Sequence, residues 1–226
     1  MAVCHCIAGL LSAVLVVLLS STRGEAAQVL SWAELTGLLA PGALTEDFES
    51  FQVASNDTAT LDETTLDHTT VTNGQGPGLV EQGVSFSVQT LTGPGSLDWL
   101  GDGAAGNSSK VLRGTGAADD FPNFQMKFSP AVQAFGMDFF PPPVFVVEVL
   151  DVDNERLFLS RSIAPPFFGF QHEPGIGAVN IGFVRSGTTT AIDNLTFGQI
   201  VPEPAAIVLA LFGWIAQAVF LQRICR

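Results

Sequence analysis

The feature that most constrains this chain is a period of two in its apolar residues, repeated in short runs. In Gly83–Gln89, Val84, Phe86 and Val88 share one face while Ser85 and Ser87 point away. Phe124, Met126 and Phe128 alternate with Gln125 and Lys127, and Phe135, Met137 and Phe139 alternate with polar or small residues. Phe145, Val147 and Val149 form another row, as do Val179, Ile181 and Phe183. Each run is the pattern of a strand with one buried face. Turn clusters separate the runs: Asn73-Gly, Gly93-Pro-Gly, Gly101-Asp-Gly, Asp153-Asn154, Pro174-Gly and Ser186-Gly. No long helical pattern supplies the crossovers that a parallel sheet needs. The expected fold class is therefore all-β, an antiparallel β-sandwich.

One short helix is expected before the strands. Ser31-Trp-Ala-Glu34 has the form of a capping box, with Ser31 as N-cap and Glu34 reaching back. Trp32, Leu35, Leu38 and Leu39 follow at helical spacing, and Pro41-Gly42 stops the helix. Ser55–Pro77, rich in Thr and Asp, and Gly93–Asn107, rich in Gly, read as loops.

Charge limits the partners. Ala27–Ile200 holds 20 acidic residues against 6 basic ones, about −14 net. Such a surface repels nucleic acid and anionic lipid headgroups, and suits calcium or neutral polysaccharide. Cys4, Cys6 and Cys225 all lie near the ends, so the middle has neither a disulfide framework nor thiolate chemistry.

The two ends read as processing segments. Ile7–Ser20 is apolar but short for a membrane span, and Gly24 and Ala26 suit a cleavage site, which gives a signal peptide over 1–26. Its n-region lacks Lys and Arg, and an uncleaved anchor is the alternative. At the other end, Val201-Pro-Glu-Pro204 precedes an apolar run, Ala205–Leu221, and then Arg223 and Arg226. That run is at the short limit for a transmembrane helix, and the arginines would hold its end in the cytoplasm. The two prolines break any helix arriving from the domain and expose an extended segment. The expected organisation is a leader over 1–26, a short helix and linker over 27–44, a β-domain over 45–200 and a tail over 201–226.

Pro202, Glu203 and Pro204, the apolar run and the terminal arginines resemble the PEP-CTERM sorting signal. The resemblance implies an exosortase-type processing enzyme as partner, transient anchoring in the inner membrane, and release to the cell surface or exopolysaccharide matrix. The alternative is a plain C-terminal anchor that is never processed. The order of segments in the middle also resembles the β-sandwich domain found ahead of such tails. Its matching pieces include Asp47–Phe51, Phe128–Asp138 and Ala191–Phe197. That implies a jelly-roll-like sandwich.

Three acids stand out. Asp193 shares its parity with Leu195 and Phe197, and Glu49 shares its parity with Phe51, so both carboxylates are expected to point inward, where an unpaired charge is costly. In carbohydrate-binding modules of jelly-roll form, an acid near the first strand and one in the last hold a structural calcium. Glu49 and Asp193 resemble that pair, with Asp47 as a third ligand and backbone carbonyls completing the shell. The alternative is that both acids are solvated or accept backbone hydrogen bonds. Asp151–Glu155 is superficially similar to a calcium loop, but it lies between two strand-like runs and reads as a polar hairpin turn.

Trp99, in Leu97-Asp-Trp-Leu-Gly-Asp-Gly103, and Phe167, Phe168 and Phe170 are the aromatic candidates. Exposed, Trp99 would stack on a sugar ring; buried, these rings close the ends of the core. No G-x-S-x-G elbow, H-E-x-x-H or phosphate loop is present, and the histidines of the middle are His68 and His172. The expectation is a non-catalytic exported protein with a structural or adhesive role. A calcium-stabilised carbohydrate-binding module is the alternative, and a polysaccharide hydrolase, whose acid pair sequence does not identify, comes third.

Overall fold

The computed structural model describes residues 27–90, 95–104, 106–116, 123–140, 145–160, 166–183 and 191–201. The expected leader lies outside them, as do Pro202, Glu203, Pro204, Arg223, Arg226 and the apolar run between. Among the described residues there are twelve strands and one helix. In chain order they are β1 (Gln28–Leu30), α1 (Trp32–Leu38), β2 (Leu44–Glu46), β3 (Thr58–Thr60), β4 (Thr65–Leu66), β5 (Val84–Gln89) and β6 (Ser96–Leu100). Then come β7 (Val111–Thr115), β8 (Asn123–Phe140), β9 (Phe145–Asp151), β10 (Arg156–Ser160), β11 (Phe167–Phe183) and β12 (Ala191–Gly198). All named pairings are antiparallel, as expected where no helix connects the strands. No helix among the described residues is long and apolar enough to cross a membrane.

Two long strands build both layers. The first part of β8, Asn123–Phe128, lies between β5 and the second part of β11. With β4, β9 and β10 these strands make one layer. The second part of β8, Ala134–Phe140, lies between β12 and the first part of β11. This layer continues to β1 on one side and to β7, β6 and β3 on the other, with β2 also against β12. The two apolar runs expected as separate strands, 124–128 and 135–139, are thus the two arms of β8.

The rings explain how the layers close. Phe124, Met126 and Phe128 of one arm and Phe135, Met137 and Phe139 of the other belong to one buried cluster. Phe128 meets Phe135 at 5.7 Å and Phe197 at 5.5 Å between ring centroids. Phe158 of β10 meets Phe168 and Phe170 of β11 at 5.6 and 5.5 Å. Each fully buried Phe contributes roughly 2–3 kcal/mol of transfer free energy.

The helix forms where its cap predicts. Glu34 N donates to Ser31 Oγ, and Ser31 N donates to Glu34 Oε2 at 2.7 Å. It covers the outer side of the second layer, where Leu30, Leu35 and Ala134 form a separate buried cluster. Small residues on β8 let it approach: a Cβ on Gly136 would come within 2.6 Å of Leu35 Cδ2. The segment expected as helix and linker, 27–44, also contributes β1 and the first residue of β2, so it is part of the sheet rather than a lead-in to it.

Candidate functional site

The site grows from a seam along one edge of β12. Strand β7 pairs with its start, through Arg113↔Ala191 and Leu112↔Ile192. Strand β2 pairs with its end, through Glu46↔Leu195, Thr45↔Thr196 and Leu44↔Phe197. Both flanking strands give out opposite Asp193-Asn194. The chain before β7 and the chain after β2 therefore converge there: Ser109-Lys110 from one side, Asp47–Phe51 from the other.

Hydrogen bonds close the seam. Ser109 Oγ donates to Asp193 Oδ2, and Asn194 N donates to Asp193 Oδ1 at 2.7 Å. Lys110 N donates to Glu49 Oε1 at 2.9 Å, and Lys110 Nζ donates to the Glu49 carbonyl at 2.9 Å. Lys110 Nζ also lies 3.4 Å from Glu49 Oε2. Across the sheet Asp193 stands opposite Asp138 of β8, whose Oδ2 accepts from Asn194 Nδ2 at 3.0 Å. Burial pushes the Asp193 carboxyl above its ordinary range, and the negative charges of Asp138 and Glu49 add to the rise. The Ser109 hydroxyl and the Asn194 N–H pull the other way.

Glu49 and Asp193, the two acids singled out in the sequence, thus bond to adjacent residues, Lys110 and Ser109. The inward parity assigned to Asp193 is corrected. Asn194 has φ +49° and the β8–β12 register shifts between Asp193 and Thr196, so the side-chain alternation slips at this bulge. Ile192, Leu195 and Phe197 face the core, whereas Asp193 lies on the other side of the sheet, buried under Ser109. Glu49 is likewise not inward: its side chain is 47% exposed. Asp47 is exposed, and its Oδ1 accepts from Glu49 N at 3.1 Å, which turns the loop. Among the described residues no three His, Cys, Asp or Glu side chains converge as a metal site. Ser109 and Asn194, which sequence reasoning did not associate with this site, are local polar residues whose role depends on the seam.

Trp99 also requires a correction. The expected Gly-rich loop contains a strand, β6, and Trp99 on it is fully buried. Its Nε1 donates to the Phe48 carbonyl at 2.8 Å. Its ring stacks on Phe51 at 4.9 Å and meets Phe48 edge-on at 5.8 Å. It therefore cannot present a stacking face to a sugar; it anchors the loop that carries Glu49. Phe48 sits at φ +55°, a conformation an aromatic residue rarely takes. The ring contacts and a hydrogen bond from Phe48 N to Glu46 Oε1, 2.7 Å, hold it there.

The other candidates have structural explanations. Asp151–Glu155 is the β9–β10 hairpin turn, with Asp151 Oδ1 accepting from Asp153 N and Glu155 N. Phe168 and Phe170 are core residues. His68 lies in the turn after β4, and His172 lies on β11.

No family model matches the chain, and no curated protein matches it. Two solved structures are similar to it. One is the family 11 carbohydrate-binding module of a cellulosomal cellulase of Clostridium thermocellum: 8% identity, TM-score 0.25, over 70% of this chain and 96% of that one. The other is a family 11 carbohydrate-binding module from Clostridium thermocellum in complex with a β-1,3-1,4-mixed-linked tetrasaccharide: 9% identity, TM-score 0.25, over 72% of this chain and 100% of that one.

Proposed function

We propose that this chain is a non-catalytic protein of the cell surface or exopolysaccharide matrix, exported and then sorted through its C-terminal tail. The observation that carries the reading is the position of the motif. The chain's last described pairing is Leu39↔Ile200, and Pro202-Glu-Pro204 begins two residues later, ahead of the apolar run and the arginines. Two prolines within three residues disfavour a helix running through the motif, which leaves its backbone open to a processing enzyme. Co-expression with an exosortase-type enzyme is expected to shorten the chain by about the tail's mass, as read by intact-protein mass spectrometry. Replacing Pro202 and Pro204 with Ala is expected to block the cut. An uncut wild-type chain in the presence of an active enzyme would leave a plain anchor and end the sorting reading.

A second reading, a calcium-stabilised carbohydrate-binding module, is favoured by one observation: Glu49 and Asp193, far apart in sequence, share the Ser109-Lys110 seam. Calcium would replace the Lys110 ammonium beside Glu49 and relieve the repulsion among Glu49, Asp138 and Asp193. Calcium is then expected to raise the melting temperature over a chelated sample, and Asp193→Asn to remove that rise. Saturable binding on a glycan array is the corresponding test of ligand. Identical melts with calcium and chelator would leave the seam a hydrogen-bonded joint and remove the calcium reading.

A further inference from the structure

We propose that, while the tail still anchors the chain, the α1 face of the domain rests on the lipid–water interface of a neutral bilayer through Trp32; this rests on the tail reading above. The first support is charge. Ala27–Thr45 carries a single charged residue, Glu34, in a domain with 20 acidic residues. That carboxylate is turned back onto Ser31 N and Oγ, both at 2.7 Å, inside the capping box. Beneath the helix the sheet offers Ala134, Gly136, Gly169 and Phe167, all uncharged. A face with so few charges has little charge to desolvate on reaching a zwitterionic headgroup layer, whereas a face rich in carboxylates would have to strip water from them.

The second support is Trp32 itself. It is 46% exposed, with its ring edge-on to Phe167 at 5.3 Å. A ring with an apolar body and a polar N–H is favoured at the membrane interface over either water or hydrocarbon. The exposed helix residues around it are Ala33, Glu34, Thr36 and Gly37; all but Glu34 are small and uncharged, and the Glu34 carboxylate is held by Ser31 in the cap.

The third support is where the chain leaves the domain. Ile200 pairs with Leu39, at the end of α1, and Ala40 N donates to the Gln199 carbonyl at 2.8 Å. From there Val201–Pro204 lead to the apolar run at Ala205. Four residues span at most about 14 Å. The seven-residue helix is about 10 Å long. A bilayer entered at Ala205 is therefore within reach of the whole of α1.

The chain has three tryptophans, Trp32, buried Trp99 and Trp214 in the tail, which makes the test direct. The protein, secreted so that its leader is removed but retaining its tail, is reconstituted into phosphatidylcholine vesicles with or without bromine high on the acyl chains. In the Trp214→Phe variant, brominated lipid is expected to quench the Trp32 emission and spare that of Trp99. A Trp32→Phe, Trp214→Phe double variant should keep its emission, which also reports that the core is folded. If the Trp214→Phe variant is not quenched while Trp32→Phe loses the Trp214 emission, the tail is inserted and the docking proposal is overturned. If neither variant is quenched, the tail is not in the bilayer, and the docking proposal falls together with the membrane-anchoring step it rests on.

Discussion

Glu46 at the end of β2 is buried with one hydrogen bond at each oxygen: Phe48 N donates to Oε1 at 2.7 Å and Glu81 N to Oε2 at 2.6 Å. Burial pushes its carboxyl from an ordinary 4.5 up to about 7, although the two N–H groups pull it down. A raised pKa means that the folded protein holds the proton more tightly than the unfolded chain. The contribution is complete below about 4.5 and is lost as pH rises through about 7. Denaturant titrations from pH 4.5 to 8 are expected to show a fall on the order of 3 kcal/mol from this group. Glu46→Gln should flatten that part of the curve and leave the smaller slope of Asp193, whose shift has the same sign. The variant should also be weaker at low pH, since its amide turns an NH₂ toward one of the two backbone donors, at a cost of about 1–3 kcal/mol.

At the scale of elements, the docking of α1 depends on absent side chains. Gly136 lies where a Cβ would meet the Phe167 ring at 2.5 Å and Leu35 Cδ2 at 2.6 Å. Gly136→Val is expected to lift the helix from β8 and cost about 1–3 kcal/mol as overpacking, read as a lower melting temperature with a change in Trp32 emission. The same element shows what periodicity reports well. The capping box and the spacing of Trp32, Leu35 and Leu38 identify the helix, because the hydrogen bonds of a cap are made within four residues. Strands β6 and β7 show the opposite case. Asp98 interrupts the apolar run of β6, and its burial depends on Arg113 Nη2 of β7, 2.7 Å away, and on Thr60 Oγ1 of β3, 2.8 Å away. Neither partner is visible from the local sequence, so the strand reads as a loop.

For the whole molecule, the excess of acids over bases places like charges around a core that provides no compensation. Among the described residues three ion pairs, Lys110–Glu49, Arg113–Asp98 and Arg156–Glu148, offset part of it. Raising ionic strength from about 0.02 to 0.3 M screens repulsion between exposed charges more than a buried pair such as Arg113–Asp98, so the melting temperature should rise. A fall on calorimetric scans would mean that the ion pairs outweigh the general repulsion.

Five alternating runs, the capped helix and the antiparallel pairing were legible in the residues alone. These follow from signals within a few residues, which report local geometry and burial. Long-range contacts were needed to join two apolar runs as β8, to make Trp99 an anchor rather than a binding platform, and to put Asp193 off the core side. The first depends on pairing between distant segments, and the second on Phe48 and Phe51, some fifty residues away along the chain. The third depends on one Asn at φ +49°, because a single bulge reverses the face of every residue before it, and period-two counting passes over it unseen.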